Sequence, residues 1–151
     1  MRVLVQRSLS SFVKVNDKVV GEIPFGLVLF VGFTYGDTSS DIDYLVDKII
    51  HLRIFDDEDG IMNKSILDVG GNILSVSQFT LYADAKKGRR PSYVHALNGK
   101  EAIRLYEEFN RKLKEKVEVQ AGIFGEDMLV SIQNDGPVTI LLESRSDNDK
   151  K

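Results

Sequence analysis

Short apolar runs separated by polar breaks make up most of the chain, and two segments repeat at helical spacing. Residues 27–33, Leu27-Val28-Leu29-Phe30-Val31-Gly32-Phe33, are continuously apolar, the pattern of a strand covered on both faces. Residues 2–15 are rich in Val, Leu and Phe but polar from 7 to 11, which predicts one strand bent in its middle. Asn16-Asp17-Lys18 supplies turn chemistry, because Asn and Asp tolerate turn conformations, so residues 19–23 return as the second arm of a β-hairpin. Ile42, Leu45, Val46 and Ile49 lie on one helical face. Ser39 or Ser40 is expected to cap that helix, Asp41 and Asp43 suit its first turn, and it should end near Arg53. Ala102, Leu105, Tyr106, Phe109 and Leu113 stripe a second amphipathic helix over residues 99–117.

Between the helices, residues 68–72 read as a turn and 73–83 as a buried strand, followed by a loop over 84–98. Residues 118–121, 128–134 and 138–142 read as closing strands. The order is ββ(β)α-ββ-α-βββ, an α+β domain with mostly antiparallel sheet spanning residues 1–144, with a flexible polar tail over 145–151.

Composition narrows the chemistry. A chain of 151 residues, 42% hydrophobic and 28% charged, is large and apolar enough for one folded domain. It contains no cysteine, which removes thiolate nucleophiles, disulfides and thiolate metal sites. With only His51 and His95, a multi-histidine metal site is not expected, and neither residue has the local context of a catalytic base. The acidic run Asp56-Asp57-Glu58-Asp59-Gly60 lacks the alternating ligands of a calcium loop and reads as a solvated loop. No apolar stretch is long enough for a membrane-spanning helix and the start does not resemble a signal peptide, so a cytoplasmic protein is expected. A net charge of −3 argues against a broad duplex-DNA interface, so any nucleic-acid contact should be local. Cations gather in two places. Arg111, Lys112, Lys114 and Lys116 suit a helix C-terminus, whereas Lys86, Lys87, Arg89 and Arg90 fall in a loop and are the better anion or phosphate site.

Two further stretches stand out. Ser77-Gln78-Phe79-Thr80 places three hydrogen-bonding side chains where burial costs a few kcal/mol each unless they are paired. They either satisfy a neighbouring turn or form a polar strip at the mouth of a pocket, and spacing leaves both readings open. Asn134-Asp135-Gly136-Pro137 reads as a plain hairpin turn, in which Gly permits positive φ and Pro fixes φ.

Taken in order, Val5-Gln6-Arg7, Arg53-Ile54-Phe55 with Met62-Asn63, SQFTLYAD over residues 77–84, Lys87-Gly88-Arg89-Arg90-Pro91-Ser92 and NDGPVT over residues 134–139 resemble the D-aminoacyl-tRNA deacylases. The resemblance runs from residue 1 to about 144, departing from the family pattern at Ala121, Glu126 and Gln133. It implies a homodimer with a β-barrel-like fold that hydrolyses the ester joining a D-amino acid, or mischarged glycine, to the 3′-terminal adenosine of tRNA. It implies a cis Gly136–Pro137 bond reaching into the partner's pocket, where its carbonyls exclude L-substrates. Ser77, Gln78, Phe79 and Thr80 would line that pocket, with Ser77, Gln78 and Thr80 as the catalytic residues; Thr80 is either a nucleophile or a positioning group, and positioning is favoured because no base is evident for it. Phe79 and Met128 would lie near the adenosine, and Arg7 would brace the Gly-Pro segment across the dimer. Lys87, Arg89 and Arg90 would meet tRNA phosphates. No metal, cofactor, membrane or DNA partner is implied. The alternative is a non-catalytic nucleic-acid-binding dimer of the same fold.

Overall fold

The computed structural model describes residues 1–145. Four strands come first, β1 (Arg2–Ser8), β2 (Ser11–Val15), β3 (Lys18–Ile23) and β4 (Gly26–Gly32). Helix α1 (Ser39–His51), the small hairpin β5 (Phe55–Asp56) and β6 (Met62–Lys64), and the short helix α2 (Ile66–Val69) lead to β7 (Asn72–Ser77). Helix α3 (Gly99–Lys114), β8 (Val119–Ala121), β9 (Leu129–Ser131) and β10 (Asn134–Glu143) complete the order. The fold is mixed α+β, with a third helix, α2, beyond the two expected. A five-stranded sheet runs β10-β1-β4-β7-β8 and a three-stranded sheet runs β3-β2-β9. The sheets remain separate and do not close into a barrel. Pairing is antiparallel except for β4–β7 and β7–β8, which are parallel.

Strand alternation divides the core in two. Leu27, Leu29 and Val31 of β4, with Ile73 of β7, face the helices; Val28 and Phe30, with Leu74 and Val76, face the small sheet. The run over 27–33 is apolar throughout because both of its faces are covered, as expected. Ile42, Leu45, Ile49, Phe109 and Leu113 are fully buried against the helix side. Each such side chain contributes about 1.5–3 kcal/mol of burial. Val13 and Ile23 carry the small sheet onto the other face. The result is three layers, helices on sheet on sheet.

Four sequence expectations change. The segment read as one bent strand is two strands in different sheets. Between them Leu9 N–H donates to the Gln133 carbonyl at 3.0 Å, and the Ser11 hydroxyl accepts from Gln133 N–H at 3.2 Å. Helix α1 is capped by Thr38, not Ser39 or Ser40, because the acid that reaches back to the cap must stand three residues on, and that is Asp41. The turn read at 68–72 is partly helix: Ser65 and Asp68 cap α2 reciprocally and Gly70, at φ 67°, ends it. The tail expected over 145–151 is anchored at Arg145, which pairs with Asp37 and, at 3.3 Å, with Asp41; residues 146–151 lie outside the described residues.

The β2–β3 hairpin is as expected. Asn16 (φ 49°) and Asp17 (φ 64°) form the two-residue left-handed loop whose twist matches the strands. The acidic segment is the loop of the β5–β6 hairpin, where the Asp57 carboxylate accepts from the N–H groups of Asp59 (2.9 Å) and Ile61 (3.0 Å). Among the described residues no helix is long and apolar enough to cross a membrane.

Candidate active site

Residues 73–83 do not form one strand. Ladder pairing of β7 with β4 ends at Val31↔Ser77, and Gln78 N–H makes a last bond to the Val31 carbonyl at 2.7 Å. The chain then folds over the end of β4 as a 3-10 turn, Phe79–Tyr82. Gly32 permits this: a Cβ there would sit 2.9 Å from the Gln78 carbonyl oxygen and 3.1 Å from Leu81 Cβ. The turn brings Ser77, Gln78 and Phe79 onto the wall of a cleft of about 560 Å³. Its floor is apolar, built from Val31, Phe33, Val76 and Leu97, and α3 closes one side through Gly99 and Ala102. Met128, Glu126 and Asp127 complete its lining. The polar strip at a pocket mouth, one of the two open readings, is therefore what Ser77 and Gln78 form.

Thr80 stands apart. It is exposed and not part of the cleft wall, and its hydroxyl accepts a hydrogen bond from the Gln78 amide. Among the described residues no imidazole or carboxylate is hydrogen-bonded to it. The N–H groups of Phe79 and Thr80, which open the turn, have no backbone acceptor among the described residues. Below the turn, Tyr106 of α3 donates to the Ser75 carbonyl at 2.8 Å, and burial pushes its phenol above the ordinary value. This ties the helix to the strand that carries Ser77. Tyr93 stands beside Phe79 at the mouth, with ring centroids 5.2 Å apart.

The segment read as a hairpin turn is a bulge inside one strand. β1 pairs with β10 at Gln6↔Thr139 and again at Ser8↔Asn134, so residues 135–138 stand opposite Arg7 alone. The Gly136–Pro137 bond is cis, and Gly136 has φ 130°. Asn134 spans the bulge: its Oδ1 accepts from Val138 N–H and its amide donates to Thr139 Oγ1, both at 2.9 Å. Arg7 fills the space beneath. Its Nε donates to the Asp135 carbonyl at 3.0 Å, and its Nη1 donates to the Ile54 carbonyl at 2.9 Å and to Asp56 at 3.3 Å. These contacts lie within one chain, since β1 and β10 are ladder neighbours. Arg7, Gly136 and Pro137 do not line the cleft of their own chain.

Lys87, Arg89 and Arg90 are exposed in a loop closed by two 2.8 Å hydrogen bonds between Asp84 and Ser92. His51 and His95 are also exposed, on α1 and in a loop, as expected. No group of three or more His, Cys, Asp or Glu suited to a metal ion occurs among the described residues.

Comparison with known proteins identifies the family of the chain. The family model for D-Tyr-tRNA(Tyr) deacylase matches residues 4–143. The chain belongs to this family. The D-aminoacyl-tRNA deacylase of Clostridium tetani is 60% identical over 146 residues, 96% of this chain and 98% of its own length. That of Anoxybacillus flavithermus is 53% identical over 96% of this chain and all of its own length. A solved c-Myc DNA unwinding element binding protein has 37% identity and a TM-score of 0.92, covering 97% of this chain and 100% of its own. A probable eukaryotic D-amino acid tRNA deacylase, at 20% identity and a TM-score of 0.81, shares the fold.

Sequence reasoning passed over Arg2, Tyr93 and Phe124. Arg2 donates to the Leu81 carbonyl at 2.8 Å and lies 4.5 Å above the Tyr82 ring. Phe124 lines the cleft beside Tyr106, at a centroid distance of 5.9 Å. Only the apolar character of Phe124 and Tyr93 could have signalled them, and core residues share that character.

Proposed function

We propose that this chain hydrolyses the ester of D-aminoacyl-tRNA, and of mischarged glycyl-tRNA, to free amino acid and tRNA, as a cytoplasmic homodimer. The observation that carries the reading is membership of the deacylase family over residues 4–143 with the SQFT segment on a cleft wall. Water attacks the ester carbonyl carbon, the bond to the ribose oxygen breaks, and that oxygen leaves protonated. The N–H group of Phe79, on the cleft wall and without a backbone acceptor among the described residues, is the donor assigned to the developing oxyanion. Ser77 and Gln78 hold the substrate, Phe79 and Met128 flank the adenosine, and Lys87, Arg89 and Arg90 meet tRNA phosphates. Thr80, with no base beside it, positions Gln78 and does not attack. Positioning alone supplies several kcal/mol. No step is assigned to a metal or cofactor.

Chiral selection is assigned to Gly136 and Pro137 of a second copy. Both are exposed and outside their own cleft, so they reach a cleft only if another protomer brings them there. Their carbonyls then occupy the space an L side chain needs. Leu9 and Leu141, each 50% exposed, suit the surface a second copy would cover. The test is release of tyrosine from D- and L-tyrosyl-tRNA, with and without EDTA. Rapid release from the D-ester alone, unaffected by EDTA, is expected. Equal rates on both enantiomers overturn the chiral assignment, and RNA binding without turnover turns the reading to the non-catalytic alternative.

A further inference from the structure

The mouth of the cleft carries one aromatic ring, that of Tyr93, which the proposed reaction does not use. Phe79 and Tyr93 meet edge to face, with an interplanar angle of 66°, so their contact covers at most one face of one ring. They are 57% and 46% exposed, and Val94 beside them is 69% exposed. Large rings left half in water mark a contact surface. Tyr93 directly follows Ser92, the residue that closes the cationic loop through its paired bonds to Asp84. Lys86, Lys87, Arg89 and Arg90 therefore sit in a closed loop whose last residue, Ser92, adjoins Tyr93 in the chain. All four are exposed, and none is in an ion pair among the described residues. Lys112 on α3 behaves differently, pairing with both Asp43 and Glu108.

From the cleft outward the order is apolar cavity, aromatic step, unpaired cations. An unpaired nucleic-acid strand has matching parts, since its bases stack on rings and its phosphates seek cations. A net charge of −3 over the whole chain keeps this attraction local to the loop. We infer that Tyr93 is the platform for the base immediately 5′ of the terminal adenosine, with the phosphates of that unpaired RNA end held by Lys87, Arg89 and Arg90. The inference rests on the reading of the cleft as an aminoacyl-tRNA site. It adds a subsite for the penultimate nucleotide at the mouth of the cleft, and so a reason why the enzyme should prefer a longer RNA end over a single nucleoside.

The experiment compares two D-tyrosyl esters, one of adenosine and one of the RNA trinucleotide CCA, in the wild type, Tyr93→Ala and Tyr93→Phe. The wild type should show a lower KM for the trinucleotide. Tyr93→Ala should lower kcat/KM on the trinucleotide about tenfold more than on the adenosine ester, chiefly through KM, and Tyr93→Phe should restore it. Equal losses on both esters would make Tyr93 only a packing partner of Phe79 and overturn the inference, as would an unchanged trinucleotide KM. If the wild type turns over neither ester, the catalytic reading itself fails. Anisotropy of a fluorescently labelled, uncharged CCA trinucleotide then still decides the subsite: weaker binding by Tyr93→Ala supports it and equal binding overturns it.

Discussion

Both halves of the candidate site hang on the same strand, by an arginine at each end, and the two attachments differ. Arg2 and Arg7 lie near opposite ends of β1 and on opposite faces, since the strand alternates. Arg2 holds the Phe79–Tyr82 turn through the Leu81 carbonyl, the Tyr82 ring and a 2.9 Å ion pair with Glu143. Its side chain is 25% exposed. Arg7 holds the Gly136–Pro137 bulge with a side chain 10% exposed and two backbone carbonyls among its acceptors. The turn has bonds of its own, from Leu81 N–H to the Gln78 carbonyl and from Ala83 N–H to the Thr80 carbonyl. Residues 135–138 have no ladder partners, so a buried guanidinium does for the bulge what hydrogen bonds between residues do for the turn. An internally bonded turn needs only trimming from outside, whereas an unpaired bulge depends on its brace.

The largest effect should therefore follow Arg7→Ala. The Asp135 and Ile54 carbonyls lose their donor in a buried setting, which costs about 3 kcal/mol. Urea unfolding should show that loss, together with collapse of discrimination between D- and L-tyrosyl-tRNA. Arg7→Lys should not rescue it, because an ammonium cannot serve these separate acceptors with a planar fork. A loss under about 0.5 kcal/mol, the range of ordinary surface changes, would mean that the Asn134 bonds alone sustain the bulge and would erase the contrast with Arg2.

Gly136→Ala sharpens the same contrast within the bulge. An added Cβ would stand 2.8 Å from Val138 Cγ2 and 3.2 Å from Arg7 Nη2, at a backbone φ of 130°. The expected cost is about 1–3 kcal/mol, with the protein still folded by circular dichroism. Selectivity should fall further than the rate on the D-ester, and unchanged selectivity would remove the bulge from substrate discrimination.

How legible these two regions were follows from the same difference. Helices α1 and α3 and strand β4 could be read directly, because a 3.6-residue period and a continuous apolar run each report a single kind of burial. Strand β7 was overextended because Phe79, Leu81 and Tyr82 continue its apolar pattern, while the reason it stops, the bare Gly32 of a neighbouring strand, lies some fifty residues upstream. NDGPVT has the composition of a hairpin turn, yet β1 runs beside both of its ends and keeps them in one strand. No local pattern encodes that neighbour. The SQFT residues stood out by their hydrogen-bonding side chains in an apolar run, whereas Arg7 was singled out only through resemblance to a family. Tyr93 had no signal, since an exposed ring and a core ring look alike in sequence.

Arg2→Ala tests the weaker brace. The turn should keep its own bonds and lose only the Leu81 contact, the ring stacking and the partly exposed pair with Glu143, about 1–2 kcal/mol in all. Turnover should fall through misplacement of Phe79 and Thr80, while selectivity between enantiomers stays intact because the bulge is untouched. Loss of selectivity here would mean that the two halves of the site are not independently held.

The smallest effect lies farther from the cleft, at the Thr38 cap, and concerns acid. Burial alone would raise the pKa of Asp41, but the Thr38 N–H, the Ser144 hydroxyl and the Arg145 guanidinium outweigh it and leave the carboxyl below its ordinary 3.8. A carboxyl depressed in the folded state stabilises it fully above 3.8 and loses that contribution as the pH falls through the lower folded value. Asp41→Asn should thus be less stable than the wild type at pH 7 by about 1 kcal/mol, the usual worth of a helix cap. The two urea midpoints should draw together as the pH drops below 3.8. A gap that persists undiminished in acid would assign the stabilisation to packing at α1 and not to the charge on Asp41.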